Sequence, residues 1–477
     1  MMFKQFFWLV LLACLSIQSY ADVTLPRVFS SHMVFQQQKP ILIWGKASPN
    51  ETVTIRLKNS ERRVVAKQDG TWQVKFPAQQ ASFESFDVII SGGNTIRLSD
   101  VLVGEVWLCS GQSNMEYTMQ LRKGYKAPAK GKDRTLEELA KPENRNIRLL
   151  LVGRKKGHAP DVETIGWQRC NSESLASFSA AGYFFGKELL ETLRVPIGLI
   201  SSSWGGSRIE PWTPASAYEK SADIQTVKKG SNTLVDNAVA GEMFEGMIRP
   251  LAPFALRGFL WYQGESNVMF EDALYGRKQK VLIDAWRKLW KDQQLSFHYV
   301  QIAPYSYSRR KDKMQHTTET LPWFWEIQTK AMDPKRSGMV VITDLVDDLS
   351  DIHPSYKWEV GRRLALWALA KDYAQNNIVF SGPLYKRNHI QEGRIALEFD
   401  HIGSGLICQG EQLTWFEIAG ADKSFVPAEA RIEGNKVIVS STAVPRPLYV
   451  RFAWSEQARP NFFNHEGLPA VPFRTYK

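Results

Sequence analysis

The chain has 477 residues, of which 44% are apolar and 12% aromatic, enough for more than one hydrophobic core. This composition excludes a largely disordered protein. The net charge of +11 would suit a polyanionic partner, but the 60 basic residues are spread along the chain without a nucleic-acid-binding motif. We therefore expect a solvated basic surface and no nucleic-acid partner.

The first residues have the pattern of an export signal. Lys4 supplies the positive end, residues 6–15 the apolar core, and residues 19–21 a small-x-small cleavage site. The mature chain would begin at Asp22 and be periplasmic or extracellular. The alternative is a lipoprotein signal in which Cys14 carries the lipid anchor. No later segment contains about 18 uninterrupted apolar residues, so we expect no membrane span.

Residues 22–100 alternate apolar and polar side chains in short segments separated by glycine, proline and asparagine turns. This spacing is typical of a small β-sandwich domain. The predicted strands are 34–35, 41–44, 53–57, 72–76 and 86–90. No catalytic group of residues is evident there.

Residues 101–376 alternate strands with helices, the pattern of a doubly wound α/β domain around a parallel sheet. The predicted strands are 106–110, 197–201, 258–262, 297–303 and 339–343, and the predicted helices are 180–193, 273–290 and 358–373. The charged stretch 122–146 predicts a helix and surface loops.

Strand-like segments return in residues 377–477, which predict a second β-rich domain at the end of the chain. Its predicted strands are 394–399, 413–418, 436–439 and 448–452. The expected layout is thus a signal peptide at 1–21, a β-sandwich, a catalytic α/β domain and a closing β domain.

The peptide Gly111-Gln112-Ser113-Asn114-Met115 directly follows a predicted buried strand. A serine in a glycine turn at the end of such a strand exposes its hydroxyl at the carboxyl edge of the sheet, where open α/β enzymes bind ligands. Ser113 is therefore the candidate nucleophile. The alternative is an ordinary turn residue.

His353 is the candidate general base. It lies in Asp351-Ile352-His353-Pro354, just before a predicted helix. A carboxylate on one ring nitrogen would leave the other free to take the proton of Ser113, so Asp351 is the candidate acid. Alternatively, Asp351 only caps the helix.

Two further peptides follow predicted strands. In Trp204-Gly205-Gly206-Ser207-Arg208-Ile209-Glu210, the Gly206 amide is a candidate oxyanion donor together with that of Ser113, unless this is a simple turn. Arg208 and Glu210 are candidate substrate contacts, or else pair with each other.

The peptide Trp261-Tyr262-Gln263-Gly264-Glu265-Ser266-Asn267 places polar side chains at a predicted sheet edge. Gln263 and Asn267 are candidate oxyanion donors. Glu265 could orient His353 or contact substrate, and Gln112 is another candidate substrate contact. The alternative is a polar network that holds loops together.

The chain lacks a His-Glu-x-x-His motif, a phosphate loop and a dinucleotide fingerprint in the right context. We therefore expect neither a metal site nor a cofactor.

The four peptides, in this order, resemble the sialate O-acetylesterase family, carbohydrate esterases of the SGNH hydrolase superfamily. The resemblance extends to Val450-Arg451-Phe452-Ala453-Trp454 and to residues 467–475 near the end of the chain. It implies a doubly wound, flavodoxin-like SGNH domain between two β domains. It also implies cofactor-free removal of acetyl groups from carbohydrate hydroxyls, with Ser113 as nucleophile and His353 as base.

The chain departs from the superfamily pattern at two positions. The acid is expected three residues before the histidine, where Ser350 stands, so it could be Asp351, Glu265 or absent. An asparagine is expected two residues after Gly264, where Ser266 stands, so the sequence does not decide which side chain donates to the oxyanion.

The leading hypothesis is an exported esterase acting on O-acetylated carbohydrate, foremost 9-O-acetyl sialic acid. Acetylated xylan or another plant polysaccharide is the alternative substrate. A catalytically silent carbohydrate-binding homologue and an esterase for other small acyl groups are the alternative functions.

Overall fold

The computed structural model describes residues 22–141, 143–311, 314–332 and 335–476. The predicted signal at residues 1–21, including Cys14, lies outside the described residues. None of the helices that are described is long and apolar enough to cross a membrane.

The N-terminal region is built from β-strands that pair antiparallel, except that the first of them pairs parallel with residues 102–104. They are β1 (Val34–Gln36), β2 (Ile41–Lys46), β3 (Thr52–Leu57), β4 (Ser60–Val65), β5 (Thr71–Phe76) and β6 (Ser82–Ser91). The strands expected in this region are confirmed. β4 was not predicted, because its polar face is exposed and it is held by pairing with β3 rather than by an apolar pattern.

The strand β7 (Thr95–Gly111) connects this region to the central sheet. Its first part pairs antiparallel with β6, and its second part pairs parallel with strands of the central sheet. It runs through the predicted domain boundary at residue 100, so hydrogen bonding is continuous across that point. The domain division itself stays a prediction.

The remaining strands up to residue 340 are β8 (Asn144–Leu151), β9 (Trp167–Cys170), β10 (Ile197–Ser203), β11 (Val227–Lys229), β12 (Asn232–Val235), β13 (Ala238–Val239), β14 (Gly258–Tyr262), β15 (Ser296–Val300) and β16 (Ser337–Val340). The central sheet has the order β16-β15-β14-β7-β10-β8-β9, parallel except for the β8–β9 pair. The small sheet β11-β12-β13 follows β10 in the chain.

Helices accompany these strands. They are α1 (Ser113–Glu116), α2 (Arg134–Leu139), α3 (Ser172–Ala176), α4 (Ala180–Leu193), α5 (Ala215–Tyr218), α6 (Glu265–Val268), α7 (Tyr275–Trp290), α8 (Thr320–Lys330) and α9 (Lys357–Asp372). Short helical turns occur at Glu210–Trp212, Phe244–Ile248, Arg249–Leu251 and Tyr307–Arg309. The prediction of α4 is confirmed at both ends.

Helices cover both faces of the central sheet. Alternate residues of a strand point to opposite faces, and strands such as β10 and β14 are buried throughout, so both faces must be covered. Trp107 of β7 packs edge-on against Phe185 of α4, with ring centroids 5.0 Å apart. Phe259 of β14 contacts Trp286 of α7 at 5.2 Å. The fold is therefore a mixed α/β structure with a large central sheet and additional β-sheets.

The C-terminal region has its own hydrophobic core. Its strands are β17 (Leu384–Gln391), β18 (Arg394–Asp400), β19 (Leu406–Cys408), β20 (Phe416–Ala419), β21 (Val426–Pro427), β22 (Glu429–Glu433), β23 (Lys436–Ser440), β24 (Tyr449–Phe452), β25 (Phe462–Asn464) and β26 (Phe473–Arg474). The strand expected from residue 413 begins only at Phe416, because Trp415 has a φ of 64°.

Three strands of the central sheet end at the same point. Ser203 of β10 and Tyr262 of β14 are both paired with Gly111, the last residue of β7. The three peptides that follow these strands are therefore brought together at the carboxyl edge of the sheet.

Candidate active site

Ser113 starts α1, two residues beyond the end of β7. Gly111 makes the turn possible: its φ is 142°, and a Cβ there would lie 2.2 Å from the carbonyl oxygen of Tyr262. The backbone N–H of Gln112 donates to that same oxygen at 3.0 Å. The turn leaves Ser113 half-buried rather than fully enclosed.

His353 contacts Ser113 directly. Its Nε2 lies 2.9 Å from Ser113 Oγ, although the two residues are 240 positions apart in the chain. In the neutral imidazole with its proton on Nδ1, the serine hydroxyl donates to Nε2. Burial lowers the pKa of His353, an effect that Lys357 strengthens and Asp351 opposes.

Asp351 makes a backbone contact rather than a close ring contact. Its Oδ1 accepts from the N–H of His353 at 2.9 Å and lies 3.9 Å from His353 Nδ1. The ring distance exceeds a hydrogen bond. Asp351 does not cap the next helix, whose N-cap Tyr356 has no side-chain cap bond. It fixes the loop backbone and places a negative charge near the ring.

The Gly205-Gly206 turn packs against Ser113. A Cβ on Gly205 would lie 3.4 Å from the Cβ of Ser113. The N–H of Gly205 donates to Glu116 at 2.7 Å, whereas those of Gly206 and Ser113 have no acceptor within the described residues. Gly206 has a φ of 73°, a backbone conformation that favours glycine. Two free amides thus lie in segments that meet beside the serine.

Gln112 and Gln263 hold two of the peptides together. Gln112 Oε1 accepts from Gln263 Nε2 at 3.2 Å and from the N–H of Ser266 at 3.2 Å. Gln263 Nε2 also donates to Asn267 Oδ1 at 2.8 Å. Both glutamines are buried, and their side chains serve this internal network.

Asn267, a candidate oxyanion donor, donates elsewhere. Its Nδ2 contacts Asp272 Oδ2 at 2.8 Å and Glu210 Oε1 at 3.2 Å, and its Oδ1 accepts from the N–H of Ile209 at 3.0 Å. The side chain is 0% exposed. The geometry gives Asn267 a structural position and no contact with Ser113 or His353.

Arg208 and Glu210 pair with each other, the alternative foreseen from the sequence. Arg208 Nη2 donates to Glu210 Oε1 at 2.7 Å, and its guanidinium stacks on Phe270 at 4.5 Å. Glu210 is completely buried. These contacts make Glu210 an internal partner that holds Arg208 in place.

The carboxylates of Glu210, Asp236 and Asp272 lie within 4.8 Å of one another, a grouping able to bind a cation. The ammonium of Lys278 lies among these carboxylates and supplies the positive charge. Its Nζ donates to Glu210 at 2.7 Å and to Asp272 at 2.8 Å, and it also contacts Asp236. Burial acts to lower the pKa of Lys278, but Glu210 and Asp272 outweigh it and raise the pKa.

Replacing Lys278 by methionine is expected to destabilise the protein by about 3–5 kcal/mol, because buried carboxylates lose their compensating charge. Urea unfolding of the Lys278→Met variant measures this loss. The control is Lys126→Met, whose ammonium pairs with Asp348 while 60% exposed and should change stability little. Equal stability of the two variants would contradict the assigned charge balance.

Two residues of the site were not predicted from the sequence. Asn114 and Lys357 are completely buried, and both contact the loop that carries His353. Asn114 belongs to the serine peptide, so its place in the motif was the available signal. Lys357 looked like one of many charged residues in a helix, and only its position just after His353-Pro354 marked it.

Comparison with known proteins places the chain in a family. Residues 103–366, more than half of the chain, match the family model described as "Carbohydrate esterase, sialic acid-specific acetylesterase". The sialate O-acetylesterase of Homo sapiens is 30% identical, with 74% of this chain and 72% of that protein aligned. The sialate O-acetylesterase of Pongo abelii is 29% identical over 93% of this chain and 91% of that protein.

A solved structure is similar over almost the entire chain. It is a carbohydrate acetylesterase from Xanthomonas citri, with a TM-score of 0.84, 34% identity, and coverage of 96% of this chain and 100% of that one. The protein is thus a carboxylic ester hydrolase with a mixed α/β fold. It belongs to the sialate O-acetylesterase family, and its reaction is the removal of acetyl groups from carbohydrate.

Proposed function

We propose that Ser113 is the nucleophile and His353 the general base of this deacetylation. The observation that carries the proposal is the 2.9 Å contact between Ser113 Oγ and His353 Nε2. The unpaired amides of Ser113 and Gly206 form the oxyanion hole. Gln263 holds the two segments that carry these amides. Its Nε2 donates to Gln112 Oε1 and, at 3.2 Å, to the carbonyl oxygen of Ser207.

The reaction proceeds through an acetyl-enzyme. His353 takes the proton of Ser113 as Oγ attacks the acetyl carbonyl carbon, and the free amides stabilise the negative oxygen of the tetrahedral intermediate. His353 then protonates the leaving sugar oxygen. A water molecule, deprotonated by His353, attacks the acetyl-enzyme, and acetate leaves as the proton returns to Ser113.

Asp351 is our candidate for the acidic group. Its charge near the imidazole favours the imidazolium that forms during the reaction, and its bond to the N–H of His353 fixes the loop. Glu265 contacts Asn114 instead, so its influence on His353 is indirect.

The pH dependence of kcat/KM should follow the neutral form of His353. Since the pKa of His353 lies below the ordinary histidine value, the base stays neutral to lower pH. The rate should therefore rise with pH through a midpoint below about 6.5 and then level off. Hydrolysis of an aryl acetate across buffered pH measures this, and a midpoint above the ordinary histidine value would contradict the burial and charge effects assigned here.

The foremost substrate we propose is 9-O-acetyl sialic acid. The description of the family and the names of the mammalian relatives support it. Acetylated xylan or another plant polysaccharide is the second candidate, and the description of the Xanthomonas citri relative as a carbohydrate acetylesterase is compatible with either substrate. Arg208 favours neither substrate, because its guanidinium is already paired with Glu210.

Acetate release from O-acetylated sialic acid and from acetylated xylan distinguishes these substrates. Wild-type protein and Ser113→Ala are compared at equal concentration. Release from the sialic acid alone, lost in the variant, supports the foremost proposal, and release from xylan alone supports the second. Binding of either sugar without acetate release would support a catalytically silent homologue instead. Faster cleavage of butyrate than acetate esters would favour another small-acyl esterase.

We further propose that the architecture is of the doubly wound SGNH hydrolase type. The parallel strand order and the helices on both sheet faces support a catalytic domain at 101–376. The sheets on either side support flanking β-sandwich domains at 22–100 and 377–477. Export to the periplasm or the cell exterior, with or without a lipid anchor at Cys14, rests on the sequence pattern of residues 1–21.

A further inference from the structure

A buried polar cluster lies against the loop that carries His353. It consists of Asn114, Glu265 and Lys357, whose exposed fractions are 0%, 1% and 0%. The three residues come from α1, α6 and α9, so the cluster joins the serine peptide, the third peptide and the helix after the histidine. We call Asn114, Glu265 and Lys357 the loop clamp.

The loop clamp binds the backbone on both sides of His353. Lys357 Nζ donates to the carbonyl oxygen of Pro354 at 2.5 Å and to Asn114 Oδ1 at 2.8 Å. Asn114 Nδ2 donates to the carbonyl oxygen of Ile352 at 2.9 Å and to Glu265 Oε1. The residues immediately before and after the histidine are thus fixed by side chains that also contact each other.

The charges around Lys357 act on the imidazole. Burial lowers the pKa of Lys357 to about 7, against the opposing charges of Glu265 and Asp351. Burial raises the pKa of Glu265. The Lys357 ammonium also lies 4.6 Å from the ring of Tyr117 and 5.4 Å from that of Tyr262. Below neutral pH its positive charge disfavours a second cation on His353.

Burying these groups is costly, because desolvation of an ammonium and a carboxylate can exceed the attraction between them. Apolar side chains would pack α9 against the His353 loop without this desolvation free energy. Glu265 Oε2 has no hydrogen-bond partner in the part of the chain that is described, which adds to the cost. A polar cluster at this place therefore indicates a role in the geometry of the reaction.

We propose that the loop clamp is a positioning unit for His353, which holds Nε2 against Ser113 Oγ and places the Lys357 ammonium against the loop that carries the imidazole. The proposal rests on the proposed roles of Ser113 and His353. None of the three residues touches the reacting atoms, so each acts through the loop.

The first test is Lys357→Met, which keeps the side-chain length and removes the charge and both donated bonds. We expect kcat for an aryl acetate to fall about 100-fold, since small misplacements of a base have effects of this size, while KM changes by less than about twofold. The acid limb of the pH profile should move to higher pH, because the positive charge opposing protonation of His353 is gone. The control is Lys371→Met, an exposed lysine at the other end of the same helix.

Glu265 gives a matched pair of variants. Glu265→Gln keeps an Oε1 acceptor for Asn114 and should retain kcat within about threefold, whereas Glu265→Ala removes the acceptor and should lower kcat about tenfold. Equal kcat values in the two variants would overturn the hydrogen-bonded part of the proposal. Lys357→Met with an unchanged acid limb would overturn its electrostatic part.

Folding is followed by thermal melting of every variant. If Lys357→Met does not fold, Asn114→Ala replaces it, and wild-type kcat in folded Asn114→Ala overturns the proposal. Ser113→Ala and His353→Ala are measured in the same assay. Activity retained by either of these two would contradict the proposed function itself, whereas their inactivity combined with wild-type kinetics of Lys357→Met would contradict only the loop clamp.

Discussion

Replacing Ser113 by alanine is expected to lower kcat on the order of 10⁵-fold, with little change in stability or KM. The hydroxyl removed is the atom that contacts His353 Nε2 at 2.9 Å, and without it no acetyl-enzyme forms. Loss of the nucleophile in comparable serine hydrolases reduces kcat by about this factor, and the residual rate comes from the oxyanion donors and binding. Initial rates of aryl acetate hydrolysis measure the effect.

The matched control for this variant is Ser110→Ala. Ser110 is completely buried in β7, and its hydroxyl has no hydrogen-bond partner among the residues described. Removing that hydroxyl should leave kcat close to wild type. If Ser113→Ala retained more than about one hundredth of the wild-type rate, water attack without a serine nucleophile would account better for the reaction.

Replacing His353 by alanine is expected to lower kcat about 10⁴-fold. The serine then keeps its proton at neutral pH, because no other imidazole contacts Ser113 Oγ within the described ranges. The acid limb of the pH profile should disappear with the imidazole. Added free imidazole should restore part of the rate if the lost group acts as a base. Measurement of kcat across pH, with and without imidazole, checks both statements.

His389 provides the control for the histidine variant. It lies in β17 of the C-terminal region with 50% of its side chain exposed, and its Nε2 is 3.3 Å from Glu398. The His389→Ala variant should retain wild-type kcat and the wild-type pH profile. An acid limb that persists unchanged in His353→Ala would mean that another group governs the pH dependence.

The sequence predicted most of the fold because its apolar patterns are strong. The segment 258–262 is apolar throughout, as a strand buried on both faces must be, and it forms β14 with those bounds. The continuity of β7 was missed because Asp100 and Ser99 interrupt the apolar pattern, while pairing with β6 keeps the backbone extended. Pairing partners distant in the chain leave no local signal.

Contacts between residues distant in the chain also limited the prediction of the site. The sequence predicted Ser113 and His353 as partners because each lies in a motif with its own chemical reason. The sequence offered the internal roles of Glu210 and Asn267 only as alternatives, because Lys278, which binds Glu210, lies 68 residues away in the chain. Lys357 was missed for the opposite reason: a charged residue in a helix normally faces solvent.

Covalent labelling of Ser113 tests the proposed serine nucleophile directly. Wild-type protein is treated with a small organophosphate that phosphorylates activated serines, and peptides are analysed by mass spectrometry together with remaining esterase activity. We expect one adduct on Ser113, formed in proportion to the loss of activity, absent in Ser113→Ala and strongly slowed in His353→Ala. An inactivated enzyme with its adduct on another residue, or full inactivation of ester hydrolysis without modification of Ser113, would contradict it.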